Sequence, residues 1–160
     1  MLNASVLDQY PGVDTDAVQA LLEEKCRQDR HKIIVLDDDP TGVQTVHDVS
    51  VYTDWSYDSI KKGFEEDGKL FYILTNSRGF TVEQTTRAHL EIGETAAKVS
   101  EETGIDYVIV SRGDSTLRGH YPLETELLAR AEEKHRGRAV DGEIICPYFK
   151  EGGRFTIGNV

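Results

Sequence analysis

Short apolar runs alternate with longer amphipathic stretches along most of the chain. The clearest run is Ile33–Leu36, which is rich in β-branched residues and ends abruptly at the polar residues 37–42. This pattern is typical of a buried strand that leads into a polar loop. Comparable runs predict four further strands, at Val49–Thr53, Leu70–Leu74, Tyr107–Val110 and Glu143–Cys146.

Apolar residues at helical spacing predict four helices. They are predicted at Asp14–Arg27, Ser59–Glu66, Thr81–Glu102 and Pro122–Glu133. Thr81 and Gln84 have the spacing of a capping box, and Gly104 suits the end of the third helix. His89 falls on the apolar face of that helix, where a single histidine is interpreted as a packed core residue.

The alternation of strands and helices predicts an α/β fold. Right-handed crossovers between parallel strands place helices on the flanks of the sheet. We therefore predict a mainly parallel sheet with helices on both faces, a three-layer, Rossmann-like architecture. The 160 residues give room for one domain of this kind. Ligands of such sheets bind beyond the carboxyl ends of the strands, so the loops at that edge are the functional candidates.

Composition excludes several functional classes. The net charge of −11 argues against nucleic-acid binding, which needs a basic face. No apolar run approaches bilayer length, so no membrane segment is predicted, and residues 1–16 lack the features of a secretory signal, which predicts a cytoplasmic protein. Cys26 and Cys146 have no metal-ligand spacing, so we predict two buried, reduced thiols and no metal site. Neither phosphate-binding glycine motif occurs, so any nucleotide binds elsewhere.

The first polar loop follows the first strand and contains three adjacent carboxylates. Asp37, Asp38 and Asp39 are followed by Thr41 and Gly42. Carboxylates this close raise at least one pKa unless a cation or a bound hydroxyl compensates. This favours a hydroxyl-binding or acid/base role, and a solvated turn that caps the strand is the alternative.

The other polar loops are rich in arginine and glycine. Residues 111–120 combine two arginines, three hydroxyl side chains and two glycines, residues 147–156 contain Arg154, and Arg78 follows the third strand. An arginine fork can hold a carboxylate through two parallel hydrogen bonds, and glycine lets backbone N–H groups approach a ligand. The loops are predicted to meet as a positively charged cradle for a small organic acid. Surface ion pairs are the alternative for the same arginines.

These loops together resemble the N-terminal domain of the four-carbon acid sugar kinase family, from about His31 to the end. The motifs read here as DDPTG at 38–42, RGDSTLRG at 112–119 and PYFKEGGRFT at 147–156. The resemblance implies ATP-dependent phosphorylation of a hydroxyl on threonate, erythronate or a 3-oxo-tetronate-type acid. ATP and Mg²⁺ would be held by a separate C-terminal domain in cis. The expectation is therefore that residues 1–160 are a truncated sugar-acid-binding domain that holds neither and is inactive alone.

The convergence of the loops motivates a role for each candidate residue. Arg118 and Arg154 are predicted to hold the substrate carboxylate, and Asp39 is the candidate for orienting or deprotonating the attacking hydroxyl. The predicted substrate-binding residues are Asp38, Asp39, Thr41, Arg78, Arg112, Ser115, Thr116, Arg118, Gly119, Arg154 and Thr156. The predicted partners are the sugar acid and the C-terminal domain, and a homo-oligomer is compatible with the sequence.

Two other functions stay open at this point. Asp37, Asp39 and Thr41 fit the DxDxT pattern of a haloacid-dehalogenase-like phosphohydrolase, in which Asp37 would be the nucleophile and Mg²⁺ would neutralise the phosphate. That mechanism needs a later acidic pair, and none follows the last two predicted strands. The second alternative is a non-catalytic module that binds a metabolite in the same crevice.

Overall fold

A computed structural model of the chain describes residues 12–44, 46–114, 118–137, 139–146 and 153. The chain divides into two compact units, residues 1–30 and 31–160. The first unit contains helix α1 (Thr15–Gln28), which Asp14 caps by accepting a hydrogen bond from the backbone N–H of Ala17. No residue of α1 is buried. The predicted first helix is confirmed.

The second unit is built on a four-stranded, all-parallel sheet in the order β2-β3-β1-β4. Its strands are β1 (Lys32–Asp37), β2 (Val51–Tyr52), β3 (Leu70–Leu74) and β4 (Tyr107–Arg112). Its helices are α2 (Tyr57–Glu65), α3 (Val82–Thr103) and α4 (Leu123–Arg136), and a short 3₁₀ turn covers Ser77–Gly79. A parallel sheet with helices around it confirms the predicted three-layer α/β fold.

The hydrophobic core lies between the sheet and helices α2, α3 and α4. Its fully or almost fully buried members are Ile34, Leu36, Ile60, Phe64, Phe71, Ile73, Ile92, Ala96 and Val99. Helices α3 and α4 approach closely at Gly93, where a methyl group would lie 2.6 Å from Cβ of Ala131. On the opposite face of β4, the side chains of Val108 and Val110 are about half exposed.

The ends of α3 follow the local sequence signals. The Thr81 hydroxyl accepts a hydrogen bond from the N–H of Gln84, and the Gln84 side chain accepts one from the N–H of Thr81. Gly104 ends the helix in the left-handed conformation, with φ of 68°. The capping box and the terminating glycine are both confirmed, and they fix where the chain enters α3 from the loop after β3.

Three predictions are wrong: the strand at residues 143–146, the burial of Cys26 and the burial of Cys146. Residues 143–146 form no strand, because Ile144 and Ile145 find neither a paired neighbour nor a buried face among the described residues and stay 94% and 65% exposed. Cys26 and Cys146 are exposed, since one lies on the solvent-accessible α1 and the other ends this extended stretch.

The strands β1 and β4 reach further than the sequence pattern indicated. Asp37, Ser111 and Arg112 were expected in loops, but they continue the parallel ladders, in which Asp37 is paired with both Leu74 and Arg112. The backbone hydrogen bonds of the sheet therefore hold the first polar residues of the site.

Among the described residues, no helix combines the length and apolar character that a membrane span requires.

Candidate functional site

The polar loops meet because their strands are neighbours in the sheet. β1 lies between β3 and β4, and the three strands run parallel, so their carboxyl ends reach the same edge. Backbone hydrogen bonds continue beyond the strands, from the N–H of Thr75 to the carbonyl of Asp37 and from the N–H of Arg78 to the carbonyl of Asp38. The loops after β1 and β3 are thereby fixed to each other.

Arg78 is the centre of the site. Its Nε and Nη2 donate to the two carboxylate oxygens of Asp38 at 3.1 and 2.9 Å, and its Nη1 donates to Asp39 at 2.9 Å. Asp38 is 3% exposed, so its buried carboxylate needs the compensation that this planar, bidentate partner provides. The hydrogen bonds to Asp38 raise the pKa of Arg78 above its usual value.

The loop after β4 joins the same network through Asp114. Its backbone N–H donates to Asp38 at 3.2 Å, and its own carboxylate accepts from Nε and Nη2 of Arg118 at 2.7 and 3.1 Å. Asp114 is buried, whereas the side chain of Arg118 is 64% exposed. Gly119 packs on Asp38 so closely that a methyl group there would lie 3.3 Å from Oδ2. Arg118 thus presents its guanidinium group to solvent beside a buried carboxylate.

Asp37 lies deeper than its neighbours and is 1% exposed. Its Oδ1 accepts from Nη1 of Arg112 at 3.2 Å, whereas its Oδ2 has no hydrogen-bond partner among the described residues. Gly42 covers this oxygen, and a methyl group on Gly42 would lie only 1.5 Å from it. Burial raises the pKa of the Asp37 carboxyl, and Arg112 offsets part of that effect.

The raised pKa of Asp37 predicts a dependence of stability on pH. The folded protein holds this proton more tightly than the unfolded chain, whose aspartate pKa is about 3.9, so the contribution of Asp37 to stability is largest below that value and is lost as the pH rises through the folded pKa. We therefore expect Asp37→Asn to gain stability relative to the natural protein as the pH is raised from about 4 to about 7. Urea unfolding of both proteins across this range measures the difference, and a pH-independent difference would contradict the prediction.

The pKa of the Asp39 carboxyl is shifted downward, in contrast to that of Asp37. It accepts hydrogen bonds from the backbone N–H and the hydroxyl of Thr41, and these bonds, more than the nearby Arg78, lower the pKa of its carboxyl. A carboxylate with a lowered pKa is a good hydrogen-bond acceptor and a weak base. The geometry therefore favours a role of Asp39 in orienting a ligand hydroxyl, and its assignment as the base stays a prediction.

The described part of the site is a network of paired charges. It contains the carboxylates of Asp37, Asp38, Asp39 and Asp114 and the guanidinium groups of Arg78, Arg112 and Arg118. The expected surplus of positive charge is therefore not found among these residues. The reason is that buried carboxylates need cationic partners, and the arginines of the same edge supply them.

The structure brings together seven of the predicted substrate-binding residues. They are Asp38, Asp39, Thr41, Arg78, Arg112, Arg118 and Gly119. The other predicted residues, Ser115, Thr116, Arg154 and Thr156, lie outside the described residues. No group of three histidine, cysteine, aspartate or glutamate side chains in the described part of the chain is arranged to hold a metal ion.

Sequence reasoning missed the buried polar residues beneath these loops. Ser77 and Glu124 are 0% and 3% exposed, and the Ser77 hydroxyl donates to Oε1 of Glu124 at 3.1 Å. Glu124 gave no signal, because a glutamate in the first turn of a helix is usually solvent-exposed and favourable there for electrostatic reasons. Ser77 is a polar residue of the loop after the third predicted strand, and nothing in the sequence indicates its burial.

Comparison with known protein families identifies one family that the chain matches. A sequence model of the sugar-binding N-terminal domain family matches residues 33–160. The chain belongs to this family. The family is the N-terminal domain of four-carbon acid sugar kinases, which confirms the resemblance inferred from the three loops. No curated protein and no solved structure was found to match the chain. A sugar-binding role is therefore supported for this domain.

Proposed function

We propose that this sugar-binding domain binds a four-carbon sugar acid of the threonate, erythronate or 3-oxo-tetronate type, as the substrate-binding portion of an ATP-dependent kinase. One observation carries the proposal. Arg78, Asp38, Asp114 and Arg118 form a continuous hydrogen-bonded chain at the carboxyl edge of a parallel sheet, where ligands of this fold bind. The family membership supports the same class of ligand.

The chemistry of the site suits a ligand that carries both hydroxyls and a carboxylate. Asp39 offers oxygens that accept from hydroxyl groups, whereas the buried Asp38 holds the fork of Arg78, which in turn holds Asp39. The exposed guanidinium of Arg118 can donate two parallel hydrogen bonds to a carboxylate. Asp39 then lies among the groups that would orient the acceptor hydroxyl, in keeping with a reaction that depends mainly on positioning.

In this proposal a further domain, and not this one, binds ATP and Mg²⁺. The described residues offer no three-residue metal site, and the sequence has neither glycine motif that cradles a phosphate. The described residues therefore do not fit the nucleotide or its metal ion, and we assign no step to either here. What the chain supplies is the binding and orientation of the acid.

The phosphohydrolase alternative fits the geometry poorly. Asp37 would have to attack a phosphate, yet its carboxyl is buried at the end of β1, and Gly42 lies against its oxygen Oδ2. A nucleophile of that kind needs an open path to its substrate. A non-catalytic metabolite-binding module remains a second candidate, because binding alone would use the same paired residues.

Binding by calorimetry tests the proposal. We expect the chain to bind at least one four-carbon acid, and to bind the corresponding uncharged tetritols much more weakly because they lack the carboxylate. Arg118→Lys keeps the charge but loses the planar fork, and should weaken acid binding about tenfold. Arg130→Lys is the matched control, since Arg130 is an exposed α4 residue that pairs with Glu126. Equal affinity of Arg118→Lys and the natural protein would exclude the role of Arg118.

A further inference from the structure

A buried carboxylate beneath the site connects three of its elements. Glu124 lies in the first turn of α4, and its Oε1 accepts from the hydroxyl of Ser77, the residue before Arg78. Its Oε2 points to the loop after β4, where methyl groups on Gly113 and Gly119 would lie 3.8 and 3.7 Å from it. Gly119 therefore separates the carboxylate of Glu124 from that of Asp38.

The third contact of Glu124 is with α3. Nε2 of His89 lies 3.8 Å from Oε1 of Glu124, and both side chains are buried. Nδ1 of His89 lies 2.9 Å from the carbonyl oxygen of Thr85, which can only accept, so Nδ1 carries a proton. Nε2 of the same ring faces the carboxylate of Glu124.

The surroundings of Glu124 show why it matters for the site. The Thr75 hydroxyl lies 3.0 Å from both the Ser77 hydroxyl and the carbonyl oxygen of Asp37 in β1, and it has one proton to donate to either of them. The backbone of the β3 loop is thus tied to β1 on one side and to Glu124 on the other. Arg78, in this same loop, donates a hydrogen bond to Asp38. The backbone N–H of Asp114, in the loop after β4, donates to Asp38 as well.

We propose that Glu124, supported by His89, is a positioning residue that holds the loop of Ser77 and the described residues Gly113, Asp114 and Gly119 at the spacing required for acid binding. It touches no ligand itself. It acts through Ser77 on Arg78 and through the packing of Gly119 on Asp38. This inference rests on the proposed function for its effect on affinity, and on the contacts alone for its effect on the loops.

Three variants test the proposal. Glu124→Ala removes the link. Glu124→Gln keeps an oxygen that accepts from the Ser77 hydroxyl and almost the same shape, and it removes the charge. Leu128→Ala is the control, because Leu128 is a buried α4 residue one turn further on that belongs to the hydrophobic core. It should cost stability without disturbing the loops.

Two measurements are made on each variant. The first is the exchange rate of the Asp114 amide proton, which donates to Asp38 and therefore reports local opening of the β4 loop. The second is the affinity for the tightest-binding acid. We expect Glu124→Ala to speed the exchange and to weaken binding, each about tenfold, whereas Glu124→Gln and Leu128→Ala stay within about threefold of the natural protein.

The outcomes separate the two proposals. Unchanged exchange and unchanged affinity in Glu124→Ala would overturn the positioning role. An equal loss in Leu128→Ala would also overturn it, because the effect would then be general destabilisation. If the natural protein binds no acid, the proposed function fails, and the exchange of the Asp114 amide still decides whether Glu124 positions the loops.

Discussion

Replacing Arg78 with alanine is expected to damage stability and binding together. Asp38 is almost completely buried, and its two carboxylate oxygens accept from Nε and Nη2 of Arg78. Removing one partner of a buried ion pair leaves an uncompensated charge, which lowers the free energy of unfolding by about 3 kcal/mol. Sugar-acid affinity should also fall by at least about tenfold, because Asp38 and Asp39 lose the group that orients them. Urea unfolding and calorimetry measure the two effects.

Arg78→Lys is the informative control for this prediction. Lysine keeps the positive charge but cannot contact Asp38 and Asp39 with a rigid fork, so we expect an intermediate stability and a binding defect close to that of alanine. If Arg78→Ala were as stable as the natural protein, the ion pair with Asp38 would not be a stabilising feature of the fold. If affinity alone were unchanged, Arg78 would lie outside the ligand site.

The second large effect is expected at Phe71, where stability should fall and affinity should not. Phe71 is completely buried in β3, with its ring centroid 5.8 Å from that of Tyr52 and 6.0 Å from that of Phe64. Gly63 lies directly against it, since a methyl group there would be 2.7 Å from the ring. Phe71→Ala should therefore leave a cavity and cost about 3–5 kcal/mol.

Phe71→Leu fills most of the same space and should cost less than half as much. Both variants should bind the sugar acid normally at temperatures where they are folded, because Phe71 lies in the core, and the site lies beyond the end of β3. A binding defect in folded Phe71→Leu would show that core packing and the site are coupled. Together with the Arg78 variants, this comparison separates loss of the site from loss of the fold.

Local signals in the sequence were sufficient for most of the fold. The apolar runs at β1, β3 and β4 and the capping box at Thr81 each reflect interactions within a few residues, and each is found in the structure. Residues 143–146 show the limit of such signals. Two adjacent isoleucines favour a strand, but a strand also needs a neighbour to pair with, and that depends on the rest of the molecule.

The residues of the candidate site, like the elements of the fold, could be predicted from the sequence only in part. Asp38, Arg78 and Arg118 could be predicted because polar residues directly after parallel strands must meet at one edge. Which arginine pairs with which aspartate could not be predicted, because it depends on the register of β1 against β3 and β4. The burial of Glu124 could not be predicted for a related reason, because its hydrogen-bond partner Ser77 lies 47 residues away in the sequence.

The order of strands in the sheet has a consequence for how the protein reaches its folded state. β1 is synthesised first but lies inside the sheet, and Ile33 and Lys32 find their partners only at Leu70 and Tyr107. The apolar strand β1 therefore stays unpaired until β3 and β4, which follow it in the chain, have been synthesised. Topologies with such distant partners fold slowly and leave apolar surface exposed until the later strands pair.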